Sequence, residues 1–179
     1  MVEKLVGEGG FGMVYKGVYQ GFIPVAIKEL RAKSTGDEDS EDSLNEFKEF
    51  QREVSIMSEL NHKNLVQLYG ISIAPQLRMI MEWCPGGDLY HFLAHAQPVS
   101  WALKYRIAYD IACGMKYLQD VTPPIIHRDL RSPNVFIMST NPKDPVVAKI
   151  ADFGLSLRVE HLVGGISSSS PSPNAPEPP

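Results

Sequence analysis

Cysteine is scarce: the 179 residues contain only Cys84 and Cys113. Two cysteines cannot build a disulfide framework, and this pair lacks zinc-ligand spacing. They read as buried or inert thiols in a reducing compartment, so the expected location is the cytosol. Long apolar runs are missing too; none approaches the ~18 residues that a membrane span needs. The start, "MVEKLVGEGG", lacks the apolar stretch of a signal peptide. Positive charge is not in excess, and a net charge of −4 gives no reason to expect binding to nucleic acid or an anionic membrane. No internal repeat is present. What is there is an ordinary globular composition, 44% hydrophobic, at a length that suits one domain or two small ones.

The first thirty residues read as strands, with "KGVYQGFIPVAIKEL" turning at Gly21. An acidic stretch, "TGDEDSED" at 35–42, reads as a solvated linker. From Leu44 the period changes. Leu44, Phe47, Phe50, Val54, Met57 and Leu60 recur at spacings of three and four, which predicts one face of a helix. "LVQLYGI" and "LRMIMEW" read as two more strands. "PGG" at 85–87 breaks the chain, and Asp88 is placed to cap a short helix. Ser100 is placed to cap a longer one, with Trp101, Ala108, Ile111, Met115 and Leu118 as its expected inner face. "VFIM" and "VAKIADF" read as short strands. The Ser/Pro-rich tail from Gly164, "GGISSSSPSPNAPEPP", cannot build a core.

Four short motifs carry chemistry. "GEGGFG" at 7–12 sets Gly7, Gly9 and Gly12 in a G-x-G-x-x-G pattern. A flexible hairpin turn would explain it. A dinucleotide-binding fingerprint would need a helix straight after the glycines, but "MVYKGVY" follows with a strand pattern. A hairpin tip folded over an anion fits better, because backbone N–H groups without Cβ atoms approach phosphate oxygens closely. No G-K-[ST] follows, so a P-loop is excluded. "VAIK" ends in Lys28, whose side chain shares a strand face with Ala26. A strand lysine usually faces solvent. Glu53, on the edge of the predicted helix stripe, needs a cation, and Lys28 is its natural partner. "ADFG" at 151–154 sets Asp152 on a turn, either as an Asx-turn or as the hard oxygen ligand Mg²⁺ prefers beside phosphate. "HRDLRSPN" at 127–134 sits between the apolar stretches "PPII" and "VFIM". It supplies Asp129 as a candidate base and Asn134 as a second metal ligand.

In this order and spacing the four motifs resemble the protein kinases, from about Val2 to about Ile166. "EFQREVSIMSELNHKNLVQLYG", "PPIIHRDLRSPN" and "AKIADFGLS" resemble the tyrosine-kinase-like group, and within it the Roco kinases, the family of the leucine-rich-repeat kinases. The resemblance implies an α+β, bilobal kinase fold: a β-rich N-lobe with one long helix and a hinge over 1–84, a partial helical C-lobe over 85–165, and a tail over 166–179 as part of an activation segment. It implies transfer of the ATP γ-phosphate to Ser/Thr hydroxyls of a protein substrate, with Mg²⁺, in intracellular signalling. Gly7, Gly9, Gly10, Phe11 and Gly12 would cover the phosphates, and Glu53 would hold Lys28 toward them. Asp129 would orient the substrate hydroxyl and accept its proton. Arg131 would touch the γ-phosphate, and Asn134 and Asp152 would hold the metals. Val14, Ala26 and Phe136 would sandwich the adenine, with Met81 behind it. The backbone of Glu82 and Cys84 would meet its edge, and Asp88 the ribose. His127 and Phe153 would stack with Met57 and Leu68 as a spine between lobes. Arg128 would read phosphates placed on Ser167 to Ser170.

After Gly165 the chain departs from the pattern. Ala175, Pro176 and Glu177 spell the A-P-E that closes such segments, but their flanks do not match, and a Pro-rich tail spells such triplets easily. The lower-lobe helices that would follow are not in the sequence. On this reading the chain alone is expected to be poorly packed in its second half and to turn over negligibly. The alternative is a noncatalytic nucleotide-binding or scaffolding fragment.

Overall fold

The computed structural model describes residues 2–9, 12–30, 41–74, 76–95 and 98–159. The expected glycine-tip residues Gly10 and Phe11, most of the acidic linker, Ser167 to Ser170 and the 175–177 triplet lie outside them. The expected α+β architecture of two lobes forms.

The first lobe is a five-stranded antiparallel sheet, ordered β1-β2-β3-β5-β4, with one long helix. Its strands are β1 (Val2–Gly9), β2 (Gly12–Tyr19), β3 (Ile23–Glu29), β4 (Leu68–Ser72) and β5 (Arg78–Glu82). β3 alternates as a strand with one buried face should. Val25, Ile27 and Glu29 are buried, and Ala26 and Lys28 point the other way. The register sets Val14 opposite Lys28 and Ala26 opposite Met81, so these four side chains share the sheet face toward the second lobe. Gly12 is required where it stands. Its φ is +140°, and a Cβ there would lie 2.0 Å from the Glu29 carbonyl oxygen.

Helix α1 (Glu41–Glu59) takes in the last two residues of the acidic stretch. Its buried face is Phe50, Glu53, Ile56 and Met57, continued by Leu60 just beyond its end. Leu44 and Phe47, expected on that face, are exposed, and Val54 is only half-buried. The stripe is apolar along the whole helix, but only its C-terminal half meets the core. Glu53 falls inside the buried stripe rather than on its edge.

The second lobe holds α2 (Leu89–His95), α3 (Trp101–Asp120), β6 (Ile125–Ile126), a 3₁₀ turn at Ser132–Asn134, β7 (Val135–Ile137), β8 (Ala148–Ile150) and β9 (Leu157–Arg158). β7 pairs with β8, and β6 with β9. Asp88 caps α2 through the His91 N–H, and Ser100 caps α3 through the Leu103 N–H. The inner face of α3 matches the expected one in part: Leu118 is buried and Ile111 and Met115 pack against the core. Leu103, Ile107, Asp110, Gly114 and Leu118 are buried; Trp101 is 82% exposed and Ala108 faces outward. Two inward positions are an aspartate and a glycine, which an apolar count misses. Asp110 Oδ2 accepts the Val147 and Ala148 N–H groups at 2.7 and 3.1 Å. Gly114 lets the helix close on β8; a Cβ would lie 2.9 Å from Ile150 Cδ1 and 3.0 Å from the Asn64 carbonyl oxygen.

Backbone bonds stitch the lobes. Val66 N–H donates to the Ile150 carbonyl at 2.8 Å, and Ile150 N–H to the Asn64 carbonyl at 2.9 Å. One core cluster crosses this seam, joining Met57 and Leu65 to Leu118, Ile150 and Phe153, with Leu68 packed against it. The His127 and Phe153 ring centroids are 5.1 Å apart in the same region. Among the described residues, no helix is long and apolar enough to cross a membrane.

Candidate functional site

A cleft of about 440 Å³ opens between the lobes. Gly7, Gly12, Val14 and Ala26 line its roof, with Val6 beside them; Met81, Glu82, Trp83 and Cys84 line its back; Phe136 lies below. Lys28, Glu53, Arg131, Asn134 and Asp152 line it as well, and Asp88 stands on its lip. Of the expected residues described, Gly9 and Asp129 are not in the lining. Gly9 closes the β1–β2 hairpin opposite Gly12, and Asp129 is tied to the lining through Asn134.

The charged end is built by three elements. β3 carries Lys28, α1 carries Glu53, and the turn after β8 carries Asp152. Lys28 Nζ lies 2.6 Å from Glu53 Oε2 and 3.9 Å from Asp152 Oδ1. Glu53 is 3% exposed. Burial pushes its carboxyl up, the Lys28 charge opposes this, and the Asp152 charge adds to the rise. Asp152 is held at a φ of +67°, a left-handed conformation costly for a side-chain-bearing residue and found where surrounding structure fixes it.

The polar loop is organised around His127, which is buried among the apolar flanks. Its Nε2 lies 3.1 Å from the Ala151 carbonyl oxygen, and its Nδ1 faces the Asp129 N–H at 3.3 Å. The pattern fixes a neutral imidazole that donates from Nε2 and accepts at Nδ1. Burial holds its proton affinity below the ordinary value, although the Ala151 carbonyl pulls the other way. Asn134 Nδ2 donates to the Asp129 carbonyl at 2.9 Å and to Asp129 Oδ2 at 2.8 Å. Arg131 Nε reaches the same Oδ2 at 3.2 Å. Both cleft-side donors therefore fall on one carboxylate oxygen. Arg128 turns away, and its Nε donates to the Leu155 carbonyl at the start of the following segment.

At the back of the cleft the Glu82 side chain points away from it. Its Oε2 pairs with Lys149 Nζ at 2.8 Å and accepts the Gln67 N–H at 3.3 Å. Its own N–H donates to the Gln67 carbonyl at 2.9 Å, so that N–H is not available to a ligand edge. Burial, with help from Glu82, pushes the Cys84 thiol up to about 12, so it is a neutral lining group and not a nucleophile. Sequence reasoning does not single out Lys149, Val6, Trp83, Pro133 or Ala151. Ala151 and Pro133 sit inside the "ADFG" and "HRDLRSPN" motifs. Lys149 carries no local signal.

The donor set suits a hard cation beside phosphate. Asp152 offers carboxylate oxygens. The Asn134 amide nitrogen is committed to Asp129, which leaves its Oδ1 turned the other way.

Known proteins are similar to this chain in sequence. The profile of the protein tyrosine and serine/threonine kinase family matches residues 1–170. A probable serine/threonine-protein kinase of Dictyostelium discoideum, roco11, is 46% identical over 167 residues, covering 92% of this chain and 11% of its own length. A second from the same organism, qkgA, is 42% identical over 189 residues, covering 93% and 12%. The proline-rich receptor-like protein kinase PERK3 of Arabidopsis thaliana is 39% identical over 157 residues, covering 86% and 28%. The chain thus spans about a tenth of the length of the two Dictyostelium relatives. It belongs to the protein tyrosine and serine/threonine kinase family.

Proposed function

We propose that this chain transfers the γ-phosphate of ATP to serine or threonine hydroxyls of a protein substrate, in the cytosol. The observation that carries the reading is the Lys28 ammonium, held between Glu53 and Asp152 at the inner end of the cleft. A phosphate chain entering there meets a cation already oriented, so little reorganisation is needed when charge moves. The apolar roof of Val14 and Ala26 and the Phe136 floor suit an adenine ring, with the hinge backbone at Glu82 and Cys84 along its edge. The glycine hairpin that carries Gly7, Gly9 and Gly12 covers the phosphates.

The residues divide the work. Asn134 and Arg131 hold one oxygen of Asp129, which fixes the carboxylate and leaves the other oxygen for the acceptor hydroxyl. Asp129 orients that hydroxyl and takes its proton as the oxygen attacks. Arg131 lines the cleft beside Asp129 and stabilises charge on the transferred group. Asp152 and Asn134 would hold Mg²⁺, which would supply charge neutralisation at the phosphate oxygens. The roles follow the resemblance motif by motif, and the relatives' names give the serine/threonine preference.

The test is to incubate the full-length protein with γ-labelled ATP, Mg²⁺ and a generic acceptor protein, then identify the labelled amino acids. Label on serine and threonine is expected. Label on tyrosine alone would overturn the acceptor assignment, and nucleotide binding without any transfer would favour a noncatalytic module.

A further inference from the structure

We propose that His91 is a positioning residue for recognition of the nucleotide sugar, acting through Asp88; the proposal rests on the nucleotide-binding reading above. Asp88 stands on the cleft lip, directly after the turn that ends the hinge. A carboxylate in such a place rotates freely unless something holds it. Here His91 holds both oxygens. Its backbone N–H donates to Oδ1 at 2.9 Å, and its ring Nδ1 lies 2.7 Å from Oδ2.

The first bond is a helix cap that any residue at 91 could make. The second needs the imidazole. Together they fix both the rotation and the direction of the carboxylate. Partial burial of Asp88 opposes its ionisation, but the bonds from His91 outweigh this and keep the carboxyl below its ordinary value. Each oxygen keeps a lone pair for a further donor. A vicinal diol presents two hydroxyl donors, which a carboxylate of fixed direction can accept without further ordering.

The ring is itself braced. It meets Tyr90 edge-on at 5.2 Å and stacks on His95 at 6.2 Å, and His95 Nδ1 lies 2.9 Å from the His91 carbonyl oxygen. Its side chain is 67% exposed, so the contribution is that of a surface pair. An effect of roughly three- to five-fold on sugar discrimination follows.

The experiment measures dissociation constants of ATP and 2′,3′-dideoxy-ATP by calorimetry on the full-length protein. The parent should prefer ATP. His91→Ala should lower that preference roughly three- to five-fold by weakening ATP, with dideoxy-ATP unchanged. His91→Gln, whose amide can still donate to Asp88, should restore most of it. In an Asp88→Ala background, His91→Ala should change nothing further. An unchanged ratio in His91→Ala overturns the proposal, as does equal weakening of both nucleotides, which would make the ring a plain brace for α2. A parent that binds both equally overturns it while leaving the phosphate-binding reading intact. A parent that binds neither overturns the proposed function and this inference together.

Discussion

The Lys28 ammonium and the Glu53 carboxylate meet at 2.6 Å across 25 residues of sequence, one on a strand and one on a helix that faces it. The pair is inside the protein, with side chains 16% and 4% exposed. Its geometry depends on α1 lying close against the sheet, so it reports the position of the helix as well as the charge.

Lys28→Met should remove the cation and keep most of the stem's packing. The expected outcome is a loss of ATP affinity with little change for adenosine, which has no phosphates. Charge-assisted bonds of this kind contribute about 1.5–3 kcal/mol, or roughly ten- to 150-fold in affinity. Displacement of a fluorescent nucleotide reads both ligands, and equal affinities for ATP in mutant and parent would remove Lys28 from the phosphate site.

Lys149→Met should destabilise the fold. Lys149 is 9% exposed and Glu82 18%, so the variant leaves a shielded carboxylate without its cation. Breaking a buried pair by removing one partner costs about 3–5 kcal/mol, while replacing both partners by apolar groups costs much less. Urea unfolding should show a lower midpoint for Lys149→Met and partial recovery in Lys149→Met/Glu82→Met. Additive losses would mean that the two residues do not depend on each other.

Gly114→Ala tests the contact between α3 and β8. The added methyl must displace the end of Ile150 or the Asn64 carbonyl, an overpacking cost of about 1–3 kcal/mol. Ile150→Val, which shortens the opposing side chain, should recover part of it. A Gly114→Ala variant as stable as the parent would show that the helix can shift outward freely.

His127 predicts a pH dependence of stability. Its proton affinity is lowered in the folded state, so the folded protein binds that proton less readily than the unfolded chain. The stability it contributes is complete above the ordinary imidazole range near 6.5 and is lost as pH falls through the lower folded value. Thermal unfolding from pH 7.5 down to 5.5 should therefore show a falling midpoint. His127→Phe should be less stable at pH 7.5 but flatter over the same window. The same slope in parent and variant would assign the effect to other groups, His62 among them, since burial lowers it too.

These residues also show what a sequence can and cannot reveal. Glu53 could be matched to Lys28 because each sits in a periodic element, and the period fixes which way a side chain points. Asp129, Asn134 and Asp152 could be found because short loops carry their spacing unchanged into space. The inner face of α3 was legible only in part: Ile111, Met115 and Leu118 meet the core as expected, but Asp110 and Gly114 are buried for reasons that hydropathy does not encode. One satisfies two backbone amides and the other makes room for Ile150. Leu44 and Phe47 misled in the opposite way: an apolar stripe shows which face can be buried, not how much of it meets a partner. Lys149 and Glu82 are 67 residues apart with no pattern linking them, so their bridge across the hinge became visible only in three dimensions.

The most direct test of phosphoryl transfer through this cleft is a paired measurement on Asp129→Asn in the full-length protein. Turnover with Mg-ATP and an acceptor protein is compared with the parent, alongside ATP affinity. Asparagine keeps the shape and cannot accept the proton. Turnover should fall by about 10²–10⁴-fold, with ATP affinity within about two-fold of the parent, since Asp129 is outside the cleft lining. Turnover in the mutant equal to that of the parent would contradict the assignment of Asp129 as the base and, with it, the account of how this site works.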